Sequence, residues 1–175
     1  MPDFLNLPGS TATLRTLEAD DGAALQALCE ACSDFTEAVT GLPPGPAEAQ
    51  SIFIGLPPEG DYDRKRLWGV YQDGQMIGVI DAYLGHPASD EFWTGLLMLH
   101  PAVRRQGLGK KLLLFLQNYA RSQGARTLGL AVKQNFPAAQ AFWTSQGFRK
   151  QREAELHMAG HGPTMFDILQ LDLTA

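Results

Sequence analysis

Two glycines, Gly107 and Gly109, stand one residue apart between the cationic pairs Arg104-Arg105 and Lys110-Lys111, and a leucine-rich helical pattern begins at once. A helix start carries four unpaired backbone N–H groups and a partial positive charge, so it can dock an anion such as a phosphate. Close approach of phosphate oxygens needs residues without Cβ, and a left-handed turn also favours glycine. Gly107 and Gly109 suit both needs, and the four basic side chains add long-range attraction. A Walker loop would read G-x-x-x-x-G-K-[ST], which is absent. A dinucleotide fingerprint would place a third glycine where Leu112 stands, followed about 20 positions on by an acidic residue that is also missing. The stretch is therefore a cradle for a different phosphorylated ligand, or simply a strand-to-helix turn.

Other residue pairs carry less chemistry. Cys29 and Cys32 form a lone C-x-x-C. A zinc site would need two further ligands at suitable spacing, whereas two small apolar side chains on one helix face need nothing more. His157 and His161, in "HMAGHGP", have no local carboxylate or cysteine beside them, and the composition is that of a hairpin turn. No metal is expected.

The elements that must position the cradle follow from periodicity and punctuation. "TATLRTLE" (11–18) suits a first strand, and "ADDGAALQALCEACSDF" a helix capped by Asp20 or Asp21. Five prolines break the next segment, leaving only Ala47 to Ile54 for a short helix with Pro46 at its first position. "RLWGVYQDGQMIGVIDAYL" is a hairpin turning at Asp73-Gly74. "DEFWTGLLMLHP" is a strand ended by Pro101. A helix then runs to about Gln123, with Leu108, Leu112, Phe115, Leu116 and Tyr119 as its apolar stripe and Gly124 to cap it. "RTLGLAVK" is a strand, "FPAAQAFWTSQ" a short helix, and "FRKQREAELHM" and "TMFDILQLDL" are closing strands. This order predicts an α/β fold with a mainly antiparallel sheet.

The chain of 175 residues, 45% hydrophobic and 19% charged, is the size of one folded domain. No apolar stretch reaches the length of a membrane span, and "MPDFLNLPGSTA" lacks a basic region followed by an apolar run, so a cytoplasmic protein is expected. The net charge of −5 argues against nucleic-acid binding. It is unevenly spread: residues 1–63 hold eleven carboxylates and one base, Arg15, whereas residues 64–175 net +5. Such asymmetry points to two partners of opposite sign, or to a surface kept in solution by charge.

The segment from Leu96 to Phe148 resembles the core of the GNAT superfamily of N-acetyltransferases. The family pattern is a hydrophobic strand, a Pro-containing turn, then [RQ]-x-x-G-x-[GA] opening a helix. Here those are Leu96 to Leu99, Pro101, and Arg104-x-x-Gly107-x-Gly109. A second strand, an Asn, a helix with an aromatic pair, and Gly-Phe follow in the family. Here those are Leu128 to Val132, Asn135, Phe142-Trp143, and Gly147-Phe148.

The resemblance implies a twisted, mixed and largely antiparallel sheet with a splayed central strand pair and flanking helices. It implies a single acetyltransferase domain over 1–175, with an acceptor-side segment at about 20–63 and an acyl-CoA-binding core at about 90–150. Acetyl-CoA would be the co-substrate, its pyrophosphate held by the N–H groups of Gln106, Gly107, Leu108, Gly109 and Lys110, with Arg104 and Arg105 nearby. Its pantetheine arm would enter the gap between the splayed strands and pair with Leu97, Met98 and Leu99 like an added strand. A backbone N–H there would polarise the thioester carbonyl. Asn135 would contact the arm, with Phe142 and Trp143 alongside it.

The implied reaction is direct attack of a primary amine, on a small molecule or peptide, upon the thioester. A base must take the amine proton. Glu91 is the first expectation and Asp81 the second, with His86 and Asp90 close by in sequence. Many family members supply a Tyr from the aromatic pair to protonate the leaving thiolate; Trp143 offers only an indole N–H. The acidic first third suggests a cationic acceptor, and Trp68, Tyr71, Tyr83, Phe92 and Trp93 are pocket candidates. A homodimer through a sheet edge is also among the expected partners. The competing readings are a catalytically weak CoA-binding sensor and a nucleotide-binding domain.

Overall fold

The computed structural model describes residues 4–157 and 162–175. Among them, eight strands form one sheet in the order β1-β2-β3-β4-β5-β6-β8-β7. The strands are β1 (Leu5–Asn6), β2 (Thr13–Thr16), β3 (Lys65–Gln72), β4 (Gln75–Leu84), β5 (Glu91–Leu99), β6 (Thr127–Lys133), β7 (Arg149–His157) and β8 (Pro163–Asp172). Five helices accompany them: α1 (Gly22–Ala31), α2 (Ser33–Thr40), α3 (Glu48–Ile54), α4 (Leu108–Ser122) and α5 (Pro137–Ser145). Every neighbouring pair of strands is antiparallel except β5 and β6. This is the mixed, largely antiparallel α/β fold expected.

Local chemistry explains most boundaries. Asp73 and Gly74 take φ of 50° and 78°, the left-handed pair that a two-residue hairpin between β3 and β4 requires. Pro137 occupies the first turn of α5, where its missing N–H costs no helical bond. The long helix expected from Ala19 instead breaks at Cys32, whose φ and ψ are −99° and 30°, and a separate helix follows to Thr40. The short helix after the prolines begins at Glu48, with Ala47 as its N-cap, so Pro46 stands outside it.

Two cores lie on opposite faces of the sheet. On one face Leu108, Leu112, Leu113 and Leu116 of α4 pack with Phe92, Ile80, Leu128 and Trp143. On the other, Leu25, Leu28 and Cys29 of α1 and Ala49 of α3 pack with Leu67, Val79 and Met98. A strand shows alternate residues to alternate faces, so β4 is anchored from both sides. Of the five aromatic pocket candidates, Phe92 is wholly buried and Trp68 packs edge-on against Phe115 and Tyr119. The Arg15 guanidinium lies over the Tyr71 ring. These three are structural.

Candidate active site

The sheet forks between β5 and β6. The two strands pair in parallel at only three positions, Glu91↔Thr127, Phe92↔Leu128 and Trp93↔Gly129, and then separate. Beyond Trp93 a cleft of about 350 Å³ opens. Its walls are residues 93–97 of β5 and 130–133 of β6. Phe35 and Val39 of α2 border it, as do Ala139 and Trp143 of α5. The register of β4 against β5 shifts between Asp81↔Leu96 and Ala82↔Thr94, leaving Gly95 as a bulge on the cleft wall. A bulge re-aims the local backbone and frees a group from the ladder.

β5 runs on through Pro101 into the glycine stretch and α4. Gly107 is the N-cap of α4 with φ +82°, no side chain caps that helix end, and an added Cβ would meet nothing within 4 Å. The first amides of a fifteen-residue helix are thus left for an external acceptor. Gly109 differs from what the sequence suggested: only Gly107 is left-handed. A Cβ on Gly109 would lie 3.4 Å from the Phe142 ring, an ordinary van der Waals contact, so α4 packs closely on Phe142 here without requiring a bare residue. Arg105, with φ of 61°, holds the turn that leads into the cradle.

Other expected ligand residues have more particular places. Arg104 is not a free cation: its guanidinium bonds the Asp34 carboxylate at 2.5 and 3.1 Å, and its Nε donates to the Leu99 carbonyl at 2.7 Å. That pairing holds the Asp34 carboxyl below its ordinary range. The Leu99 carbonyl also accepts from the Cys32 thiol at 3.4 Å, so it has two donors within the protein. Leu97 and Trp143 line the cleft. Met98 is buried in the core on the α1 side. Phe142 packs beneath Gly109 instead of facing the cleft. Asn135 is exposed in the turn between β6 and α5, and Gln106 and Lys110 are exposed at the cradle.

Sequence reasoning missed the role of α2. Asp34 ties it to the end of β5 through Arg104, Lys133 at the end of β6 donates to the Ala38 carbonyl at 3.0 Å, and the Phe35 and Phe136 rings lie 6.0 Å apart. One short helix therefore straps both lips of the fork.

The two carboxylate candidates separate clearly. Glu91 lies at the closed end of the fork, where β5 and β6 still pair, and its Oε2 accepts from Gln170 at 2.7 Å. Neither Glu91 nor Asp81 is among the residues that line the cleft, so the two differ in their distance from the bulge. Asp81 lies at the bulge: a Cβ on Gly95 would be 3.8 Å from its Oδ2. Its carboxylate accepts two bonds from Lys65 Nζ, at 2.7 and 2.8 Å, and the same nitrogen donates to the Gly55 carbonyl after α3. Burial pushes the Asp81 carboxyl above its ordinary range, and Lys65 pulls it partly back. His86 stands between the rings of Tyr83 and Trp93, of which only Trp93 borders the cleft. The Tyr83 hydroxyl accepts from the Asp61 amide.

Cys29 and Cys32 are buried free thiols. Burial raises the Cys29 thiol to about 12 and raises that of Cys32 as well, so neither ionises near neutral pH. Neither thiol is expected to react with iodoacetamide in the folded protein at pH 8, and both are expected to react after denaturation. Intact mass spectrometry reads the difference. Among the described residues no group of three or more His, Cys, Asp or Glu is placed to hold a metal ion. His157 lies 3.4 Å from Glu155, and His161 is outside the described residues. No helix among them is long and apolar enough to cross a membrane.

β5 thus forks from β6 and then leads into the uncapped mouth of α4. The sequence profile of the Acetyltransferase (GNAT) family matches residues 26–148, and the chain belongs to that family, which uses acetyl-CoA as co-substrate. An acetyltransferase from Thermus thermophilus shares 23% identity at a TM-score of 0.72, covering 93% of this chain and 97% of its own. The ribosomal-protein-S18-alanine N-acetyltransferase from Escherichia coli shares 23% at 0.68, covering 93% and 94%. A probable acetyltransferase from Chromobacterium violaceum shares 19% at 0.77, covering 96% and 86%. These likenesses concern the fold. Among curated proteins none matches the chain.

Proposed function

We propose that this chain is an N-acetyltransferase, a single domain that moves an acetyl group from acetyl-CoA to a primary amine of a small molecule or peptide in a ternary complex. The observation that carries this reading is the coincidence of two features on one strand. β5 borders the fork and then leads directly into the uncapped helix mouth at Gly107. The amides of Gln106, Gly107, Leu108, Gly109 and Lys110 hold the diphosphate, with Arg105 and Lys110 adding charge. The free backbone edge of β5 at Leu97 and Met98 pairs with the pantetheine arm, and Asn135 flanks it from the opposite lip.

Asp81, not Glu91, is the base in this reading. It stands against the Gly95 bulge, on the face shared with Val79 and covered by α1 and α3. Those helices belong to the acceptor-side segment, about 20–63. The eleven carboxylates of residues 1–63 favour a cationic acceptor.

The test is thiol release from acetyl-CoA with a panel of amines of differing charge, with products identified by mass. Amine-dependent release, fastest with cationic amines, is the expected result. Retained CoA without release for any amine would identify a CoA-binding sensor instead, and preference for anionic amines would refute the charge argument.

A further inference from the structure

We infer that Thr94 is a further catalytic residue, whose hydroxyl donates a hydrogen bond to the thioester sulfur as that sulfur leaves. The inference rests on the acyl-CoA reading above. Thr94 follows Trp93, the last residue of β5 to pair with β6, and precedes the bulge at Gly95. It therefore lines the cleft at the vertex of the fork. The residue is 5% exposed, and its Oγ1 has no hydrogen-bond partner among the described residues.

A buried hydroxyl without a partner is costly, and a ligand group that completes it explains why the site keeps one. Thr127 Oγ1 is also unpartnered, but Thr127 does not line the cleft. Thr94 thus offers the one unspent hydroxyl on the cleft wall among the described residues.

The reaction needs such a group. As the amine nitrogen bonds to the carbonyl carbon, the C–S bond breaks and its electron pair stays on sulfur. The amine proton goes to the Asp81 carboxylate. Among the described residues no tyrosine lines the cleft, and the aromatic residue of α5 that does is Trp143. Thr94 lies on the same face of β5 as Phe92, which packs with Trp143 in the core under α4. A threonine hydroxyl keeps its proton here: it donates a hydrogen bond to the developing thiolate, which later takes a proton from solvent, as a thiol of pKa about 8.5 readily does. A bond to a forming charge is stronger in the transition state than in the ground state, so it raises kcat.

The test compares Thr94→Val, which removes the hydroxyl at nearly constant shape, with Thr94→Ser, which keeps it. Three readouts are taken: turnover, CoA affinity by calorimetry, and melting of the ligand-free protein. Thr94→Val is expected to lower kcat about 10- to 100-fold while the acceptor KM moves less than about threefold. Thr94→Ser is expected to recover kcat to within about fivefold of the parent. Ligand-free Thr94→Val is expected to melt no lower than the parent, because an unpaired buried polar group has gone.

Parent-like kcat in Thr94→Val would overturn the inference alone. So would an equal loss in both variants with lowered melting, which marks a packing role. Failure of the parent protein to bind CoA or to turn over would overturn the acyl-CoA reading and the inference together.

Discussion

Asp81→Asn lowers kcat/KM for amine acetylation by about 10²- to 10⁴-fold, the range for loss of a positioned base. The carboxylate is the titratable group that the structure brings to the bulge. Its pairing with Lys65 complicates a single substitution. The two side chains are 21% and 8% exposed, and removing one partner of a buried pair costs on the order of 3 kcal/mol. Asp81→Asn therefore also lowers the melting temperature. The double variant Asp81→Asn, Lys65→Met removes the stranded ammonium and recovers stability, but not activity. Recovery of both would assign the pair a purely structural role.

The pH profile separates the roles further. Burial raises the Asp81 carboxyl and Lys65 opposes the rise. A base must be unprotonated, so activity falls as pH drops through this raised value. Lys65→Met removes the opposing influence, and the acid limb of the profile then moves to higher pH. The titration of the acceptor amine is common to both proteins and cancels in the comparison. An acid limb that stays in place would remove Asp81 from the chemistry.

The legible parts of this protein were those specified locally. Asp73-Gly74 marks its hairpin because only a left-handed pair makes that turn. Gly107, Gly124 and Gly147 mark helix ends for the same backbone reason, each with φ between 81° and 92°. The fork came from resemblance, since nothing in the composition of β5 or β6 announces that they part after three residue pairs. Contacts distant in sequence were hidden. Arg104 read as a free cation because Asp34 lies seventy positions away, and Lys65 gave no sign of reaching Asp81.

The proposed preference for Asp81 over Glu91 rests on register. A lone glycine inside an otherwise apolar strand is the mark of a bulge, and Gly95 carried that mark. Knowing where the bulge sits, and which β4 residue opposes it, decides which carboxylate stands beside Gly95 on the cleft wall. The break between α1 and α2 was equally out of reach. Helical periodicity runs through Cys32, and the bend there accompanies a thiol bond to the Leu99 carbonyl on another element. Without that bend, the strap across the fork could not be anticipated.

Gly107→Val is expected to weaken CoA binding about 10- to 100-fold, and Gly124→Val supplies its control. The two glycines flank the same helix, α4, with φ of 82° and 81°, and an added Cβ at either would meet nothing within 4 Å. The backbone penalty for a β-branched residue in this region, about 1–3 kcal/mol, is therefore nearly equal at the two ends. Both variants are expected to melt several degrees lower than the parent. Their ligand binding should diverge. At Gly107 the strain falls on the amides that meet the diphosphate, and the new side chain stands in the open space before them. Distortion of that mouth by 1.4 to 2.7 kcal/mol corresponds to roughly the 10- to 100-fold loss stated. At Gly124, fifteen residues of helix separate the strain from the mouth, so calorimetry should return a parent-like affinity for CoA. Equal weakening in both variants would mean that helix stability alone governs binding. Parent-like affinity in Gly107→Val would mean that the diphosphate is held elsewhere.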